Sequence, residues 1–116
     1  MRKRRRSLRR RSRRLPLETE RTVRALCAGY HRRKYRRDSY PHPTRGTLSE
    51  EEINALIDDA LEESCEAGLR SVLREDIAER RGVKYTRAVW IGESGYKERK
   101  AQAKRAIAKR FGLPLG

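Results

Sequence analysis

Apolar residues in this chain of 116 residues recur at three- and four-residue intervals, in four short stretches divided by glycine and proline. That spacing turns one side of a helix toward a core, and no alternating stretch of useful length accompanies it. Val23, Leu26, Cys27 and Tyr30 form the first stretch, in a helix expected from about Leu17 to Arg37. Pro16 suits its entry, and Glu18 and Glu20 suit its positive N-terminal end. Arg21, Arg24, Arg32 and Arg36 lie opposite the apolar face. Residues 38–46, DSYPHPTRG, hold two prolines and a glycine and read as a loop.

Ser49 and Glu52 have the spacing of a capping box, with Leu48 and Ile53 placed to staple across it. Ile53, Leu56, Ile57, Ala60 and Ser64 then share a face. Past Gly68 the apolar face consists of Leu69, Val72, Leu73 and Ile77. On a straight helix it would point about 100 to 160 degrees away from the Ile53 stripe. A break near Gly68 is therefore expected, with a third helix from about Leu69 to Arg81 stopping at Gly82. A short helix at 84–91, a turn at Gly92 to Gly95 and a last helix from Tyr96 to Phe111 follow, ended by Gly112 and Pro114. The expected fold is all-α: a small domain of four to five helices over residues 15–116, with a helix-turn-helix within about 69–112.

Charge narrows the partners. The formal net charge is +15 and the pI about 10.8, so a polyanion is the expected counterpart, a nucleic acid before a membrane. Residues 1–14 carry ten of the 31 basic side chains, Arg4, Arg5, Arg6, Arg9 and Arg10 among them, and almost nothing apolar. Such an arm cannot offset its chain entropy by burial and is expected to be disordered when alone. It reads equally as a non-specific phosphate grip and as a solvated tail. Residues 50–66 hold eight acidic groups and no basic one. One reading is internal compensation across basic neighbouring helices. The other is a surface that keeps nucleic acid away and meets a basic partner.

The last helix carries the densest basic pattern. Tyr96, Ala103, Ile107 and Phe111 make a narrow seam flanked by the stems of Lys100 and Arg110. Lys97, Ala101, Lys104, Arg105 and Ala108 occupy the other side, where the alanines would permit close approach. A helix docked in a DNA groove needs that division, since the seam holds it to the domain while cations meet phosphates and base edges. A solvated helix of a merely basic protein would look similar. Helix, tight turn, helix occurs in two registers. In one, Ile77, Ala78, Gly82, Val83 and Ala88 support a reader at 84–91 that contacts DNA through Lys84 and Arg87. In the other the last helix reads, through Lys97, Lys100, Gln102, Lys104 and Arg105, and this register has the longer and more basic reader.

RTVRALCAGYHRR at 21–33 and IGESGYKERKAQAKRAIAKRFGL at 91–113 together resemble small phage-encoded transcription regulators of the ArpU and RinA type. Ile91, Glu93, Tyr96 and Lys100 match the pattern of their turn and last helix, while Gly92 and Gly95 stand where that pattern has Ser and Thr. The resemblance implies a sigma-factor-like helix-turn-helix that activates phage late genes through promoter DNA and host RNA polymerase, the latter met by the acidic residues 50–66, in the bacterial cytosol and associated with the nucleoid. The expected function is thus a sequence-reading DNA-binding protein, with duplex DNA as partner and homo-oligomerisation open. A phage terminase small subunit and an RNA-binding or ribosome-associated protein are the alternatives.

Other classes find little support. No nucleophile stands with either histidine in a catalytic pattern and no phosphate-cradling glycine motif occurs, so no enzyme and no cofactor are expected. Cys27 and His31, with His42 and Cys65, would make four metal ligands, yet both cysteines sit on apolar stripes where core packing explains them. No metal is therefore expected. The basic N-terminus lacks the apolar run of a secretory signal, and no segment approaches the length of about 20 apolar residues that spans a bilayer.

Overall fold

The computed structural model describes residues 14–34, 37–79 and 92–116. Among them are α1 (Leu17–Ala28), a 3-10 turn (Arg32–Lys34), strands β1 (Ser39–His42) and β2 (Gly46–Ser49), and helices α2 (Glu50–Ser64), α3 (Ala67–Glu79) and α4 (Gly92–Arg110). The domain is mostly helical, as its periodicity predicts, with one small two-stranded ribbon. Helix α4 packs chiefly on α2, and α1 packs chiefly on α3. The apolar faces meet in one cluster that includes Val23, Leu26, Leu48, Ile53, Ile57, Leu61, Leu69, Leu73, Ile77, Tyr96, Ile107 and Phe111.

Local chemistry sets most boundaries. The capping box forms as expected: Glu52 N–H donates to Ser49 Oγ at 3.3 Å, and Ser49 N–H donates to Glu52 Oε1 at 3.1 Å. Two of the orphan donors at the start of α2 are thereby satisfied. Leu48 and Ile53, on either side of the cap, are both 1% exposed. The break between α2 and α3 falls at Cys65 and Glu66 rather than at Gly68. Cys65 is extended there (φ −153°, ψ 165°), which frees Leu69, Leu73 and Ile77 to face the core from a new direction.

Three expectations give way to the structure. Helix α1 stops at Ala28, well before Arg37: Gly29 N–H still donates to Ala25 O, but Tyr30 N–H turns to Cys27 O and the chain tightens into the 3-10 turn, with the Arg33 side chain close against Gly29. The segment read as a loop at 38–46 is a β-hairpin extending to Ser49, pairing Tyr40 with Leu48 and His42 with Gly46. Its three-residue connection, Pro43 to Arg45, ends at Gly46 with φ +72°, the left-handed position such loops place after a turn. The turn expected at Gly92 to Gly95 instead forms the start of α4, with Gly92 at φ +75° supplying the bend.

The hairpin closes the C-terminal end of α4, where four carbonyls need donors from outside the helix ladder. Leu113 N–H donates to Ala108 O at 2.9 Å and Gly112 N–H to Lys109 O at 3.2 Å, a Schellman arrangement with Gly112 at φ +68°. The next two carbonyls are taken by the ribbon. His42 Nε2–H donates to Arg110 O at 2.8 Å, and the Tyr40 hydroxyl donates to Phe111 O at 3.1 Å. Thr44 N–H donates to His42 Nδ1 at 3.1 Å, which fixes the imidazole as the Nε2–H tautomer. Tyr40 also meets the Phe111 ring edge-on at 5.1 Å. Beyond Gly112 the chain turns back, and Pro114 O accepts from Thr19 Oγ1 on α1 at 2.8 Å.

Candidate nucleic-acid interface

Helix α4 holds seven basic residues, and the structure shows what each one faces. The expected seam is confirmed: Tyr96 is 1% exposed, and Ala103, Ile107 and Phe111 are fully buried. Ala108 belongs to it too, since it is fully buried instead of lying on the outer face. Together with Ala103 and Ala106 it keeps the buried side of α4 thin, so neighbouring helices approach closely. The outward stripe consists of Glu93, Lys97, Glu98, Ala101, Gln102, Arg105 and Lys109.

Five of the seven cations are engaged by acids of this chain. Arg110 Nη2 lies 2.6 Å from Glu63, and Arg99 Nη2 lies 3.1 Å from Glu66, both at the C-terminal part of the acidic helix and the turn after it. Hydrogen bonds from these guanidiniums hold the Glu63 and Glu66 carboxyls below the usual carboxylate range. Lys104 pairs with Glu20 of α1 at 3.6 Å, and Lys97 with Glu93 one turn earlier at 3.1 Å. Lys100 reaches Asp76 of α3 at 3.0 Å. Arg105 and Lys109 make no ion pair among the described residues. The wide basic face read from the sequence is therefore largely a set of clasps to α1, α2 and α3. The acidic helix is internally compensated at this end.

Asp76 is the anchor of the set. It is 1% exposed, accepts from Lys100 on one oxygen and from the Tyr96 hydroxyl on the other, and so ties the end of α3 to the start of α4. A buried carboxylate requires this kind of pairing. Tyr96 and Lys100 are two of the four positions that carry the resemblance to phage regulators. In this chain both serve helix docking, and Lys100 lies away from the outward stripe.

The proposed reading residues divide accordingly. Lys97, Gln102 and Arg105 are exposed on α4; Lys104 is half-buried against Glu20; Lys84, Arg87 and the arm residues Arg4, Arg5, Arg6, Arg9 and Arg10 lie outside the described residues. Gln102 and Arg105 share a surface cleft of about 450 Å³ with Glu63, Lys109 and Leu115, so the returning C-terminal segment borders them. A second cleft, about 190 Å³, is lined by Arg14, Leu15, Glu20, Lys97, Lys100, Ala101 and Lys104.

That second cleft reveals something the sequence pattern did not. The described residues contain seventeen basic and sixteen acidic side chains and are close to neutral as a set. Residues 1–13, 35–36 and 80–91 hold the other fourteen basic side chains and no acid. Arg14, where the first joins the body, lines the cleft with Lys97 and Lys100. Glu79 and Gly92, which bracket 80–91, belong to the helix ends that the Asp76–Tyr96–Lys100 cluster clasps together. A count of charge by segment, set beside the ion pairs, was the signal needed.

Both cysteines are reduced and buried, and burial pushes the Cys27 thiol up to about 12, against weaker opposing effects of Arg74 and Arg33. Among the described residues no three His, Cys, Asp or Glu side chains are grouped to hold a metal ion, and no helix is long and apolar enough to cross a membrane. In comparisons with known proteins, no family model, curated protein or solved structure matches the chain.

Proposed function

We propose that this protein binds nucleic acid, with duplex DNA as the target, through the basic residues concentrated in 1–13 and 80–91. The observation that carries this reading is the partition of charge along the chain: seventeen basic against sixteen acidic side chains among the described residues, and fourteen basic with no acid in residues 1–13, 35–36 and 80–91. Among the described residues the acids nearly balance the cations, and six ion pairs join them directly. The excess cations then supply counterion release on binding, the main source of non-specific affinity.

The finer reading is a sequence-selective regulator of the phage ArpU and RinA type, with a helix-turn-helix ending in α4. Its support is the resemblance at Ile91, Glu93, Tyr96 and Lys100 and the outward placement of Gln102 and Arg105. Arg105 suits a bidentate contact with guanine and Gln102 one with adenine, each worth about 1 to 3 kcal/mol of discrimination. A binding selection that presents random duplex DNA and structured RNA together tests both levels. Enrichment of a duplex motif, with preference lost at particular base pairs in Arg105→Ala or Gln102→Ala, supports a reader in α4. Preference lost instead in Lys84→Ala or Arg87→Ala moves the reader to 84–91. Enrichment of RNA over duplex overturns the DNA reading.

A further inference from the structure

We infer that the cleft at the C-terminal end of α1, lined by Arg32, Arg33 and Arg37, is a phosphate-binding site. This inference stands apart from the proposed DNA contacts, which concern α4 and the segments beside it. The cleft measures about 290 Å³ and is bordered by Ala25, Gly29, Arg32, Arg33, Arg37 and Asp38. That is roughly ten times the share of one water in the liquid, about 30 Å³, which accommodates a hydrated phosphate.

Arg33 is its built element. Its side chain is 3% exposed, unusual for an arginine so close to solvent. Nε–H donates to Asp38 Oδ2 at 3.0 Å, and Nη1 donates to Asn54 Oδ1 at 2.8 Å. Asn54 is oriented in turn by donating from Nδ2 to Tyr30 O at 3.0 Å. The remaining amino group, Nη2, donates to no group among the described residues. No buried side-chain nitrogen or oxygen there lacks a partner, so Nη2 keeps its contact with the cleft. Gly29 makes room for it: a Cβ at that position would stand 2.8 Å from Nη2 and 3.2 Å from Cζ.

The charges suit a phosphate. Arg32 and Arg37 are exposed at the rim, and the three guanidiniums exceed the single carboxylate by two charges, matching a phosphate monoester dianion. Asp38 does not repel the ligand strongly, because its oxygens are occupied by Arg33 Nε–H and by Ser39 N–H at 2.9 Å. The carbonyls at the end of α1 are also engaged where they border the cleft: Ala25 O accepts from Gly29 N–H and Gly29 O from Arg33 N–H. A fixed guanidinium whose Nη2 stays open, flanked by two exposed ones, can donate charge-assisted hydrogen bonds to phosphate oxygens.

The test is titration of the full-length protein with inorganic phosphate at constant ionic strength, following the guanidinium N–H resonances of Arg33 by NMR. Saturable movement of the Arg33 signals, absent with chloride, is expected. Arg32→Gln or Arg37→Gln, both at exposed positions, should weaken phosphate by about tenfold, the effect of one charge-assisted hydrogen bond. Gly29→Ala, which displaces Nη2, should abolish saturation in a protein whose circular dichroism is unchanged. Two oligonucleotides, with and without a 5′-phosphate, distinguish the source. Preference for the phosphorylated strand assigns a terminal monoester, and equal displacement of phosphate by both assigns the backbone phosphodiester. Linear movement equal to that with chloride, or wild-type affinity in both rim variants, overturns the site. Failure of duplex DNA binding would leave the Arg33 titration unaffected, so the two proposals fail separately.

Discussion

Replacing Lys100 with Met should cost far more than replacing Lys97, although the two stand three residues apart on one basic helix. Lys100 Nζ lies 3.0 Å from Asp76, whose side chain is 1% exposed, whereas Lys97 and Glu93 are 69% and 65% exposed. At 3.0 Å the attraction is about 5 kcal/mol for an effective dielectric near 20, before desolvation is subtracted. Removing one partner of a buried pair typically costs about 3 to 5 kcal/mol. The Lys100 side chain keeps 20% of its exposure and Asp76 keeps its Tyr96 bond, so about 2 to 3 kcal/mol is the better figure. In a domain this size that corresponds to a fall in Tm of about 10 °C. Lys97→Met should cost less than about 1 kcal/mol, as exposed pairs do. Urea denaturation of both variants, and of Asp76→Asn alone and combined with Lys100→Met, gives the coupling directly. Equal small losses for Lys97 and Lys100, or full additivity with Asp76→Asn, would refute the claim that this cluster clasps α3 to α4.

Three further outcomes follow from particular contacts. Gly112→Ala should destabilise by more than about 1 kcal/mol, since the residue has φ +68° and its new Cβ would stand 2.9 Å from Pro43 Cγ; a melting curve like that of wild type would show that the hairpin yields freely. Ser49→Ala should cost about 1 kcal/mol by removing one arm of the capping box, read as a lower urea midpoint with an unchanged slope. Cys27, with its thiol held at about 12 against 9.0 when unfolded, should resist alkylation at pH 8 until the protein unfolds. Because the folded value is the higher one, its contribution to stability is complete below pH 9.0 and is lost as pH rises toward about 12; stability that climbs over that interval would contradict the burial.

The helix faces were legible because burial follows a period the chain displays openly, as in Ile53, Leu56, Ile57 and Ala60. The capping box was equally plain, being a local bond between residues three apart. Boundaries that depend on distant partners were hidden. Nothing near Gly29 announces that the Arg33 guanidinium will lie against it, and the continuing apolar spacing at Tyr30 suggests more helix. The hairpin offers four-residue strands, one containing Pro41, with Leu48 its single fully buried side chain, too little alternation to read as a ribbon. Ion pairing was the largest gap. A helical projection of α4 separates cations from the seam, but it cannot show that Lys100, Lys104, Arg99 and Arg110 bend sideways to acids on three other helices.

The salt dependence of duplex DNA binding tests the central claim most directly. Each neutralised phosphate contributes a slope of about −0.9 to the plot of log affinity against log salt concentration. If the basic segments carry the binding, changing Arg4, Arg5, Arg6, Arg9 and Arg10 together to Gln should reduce the slope by up to about 4.5. Changing Arg105 and Lys109 to Gln should reduce it by less than about 2. A slope unaltered by the five substitutions in the arm, or larger effects from the two positions on α4, would contradict an interface built on the basic residues outside α4.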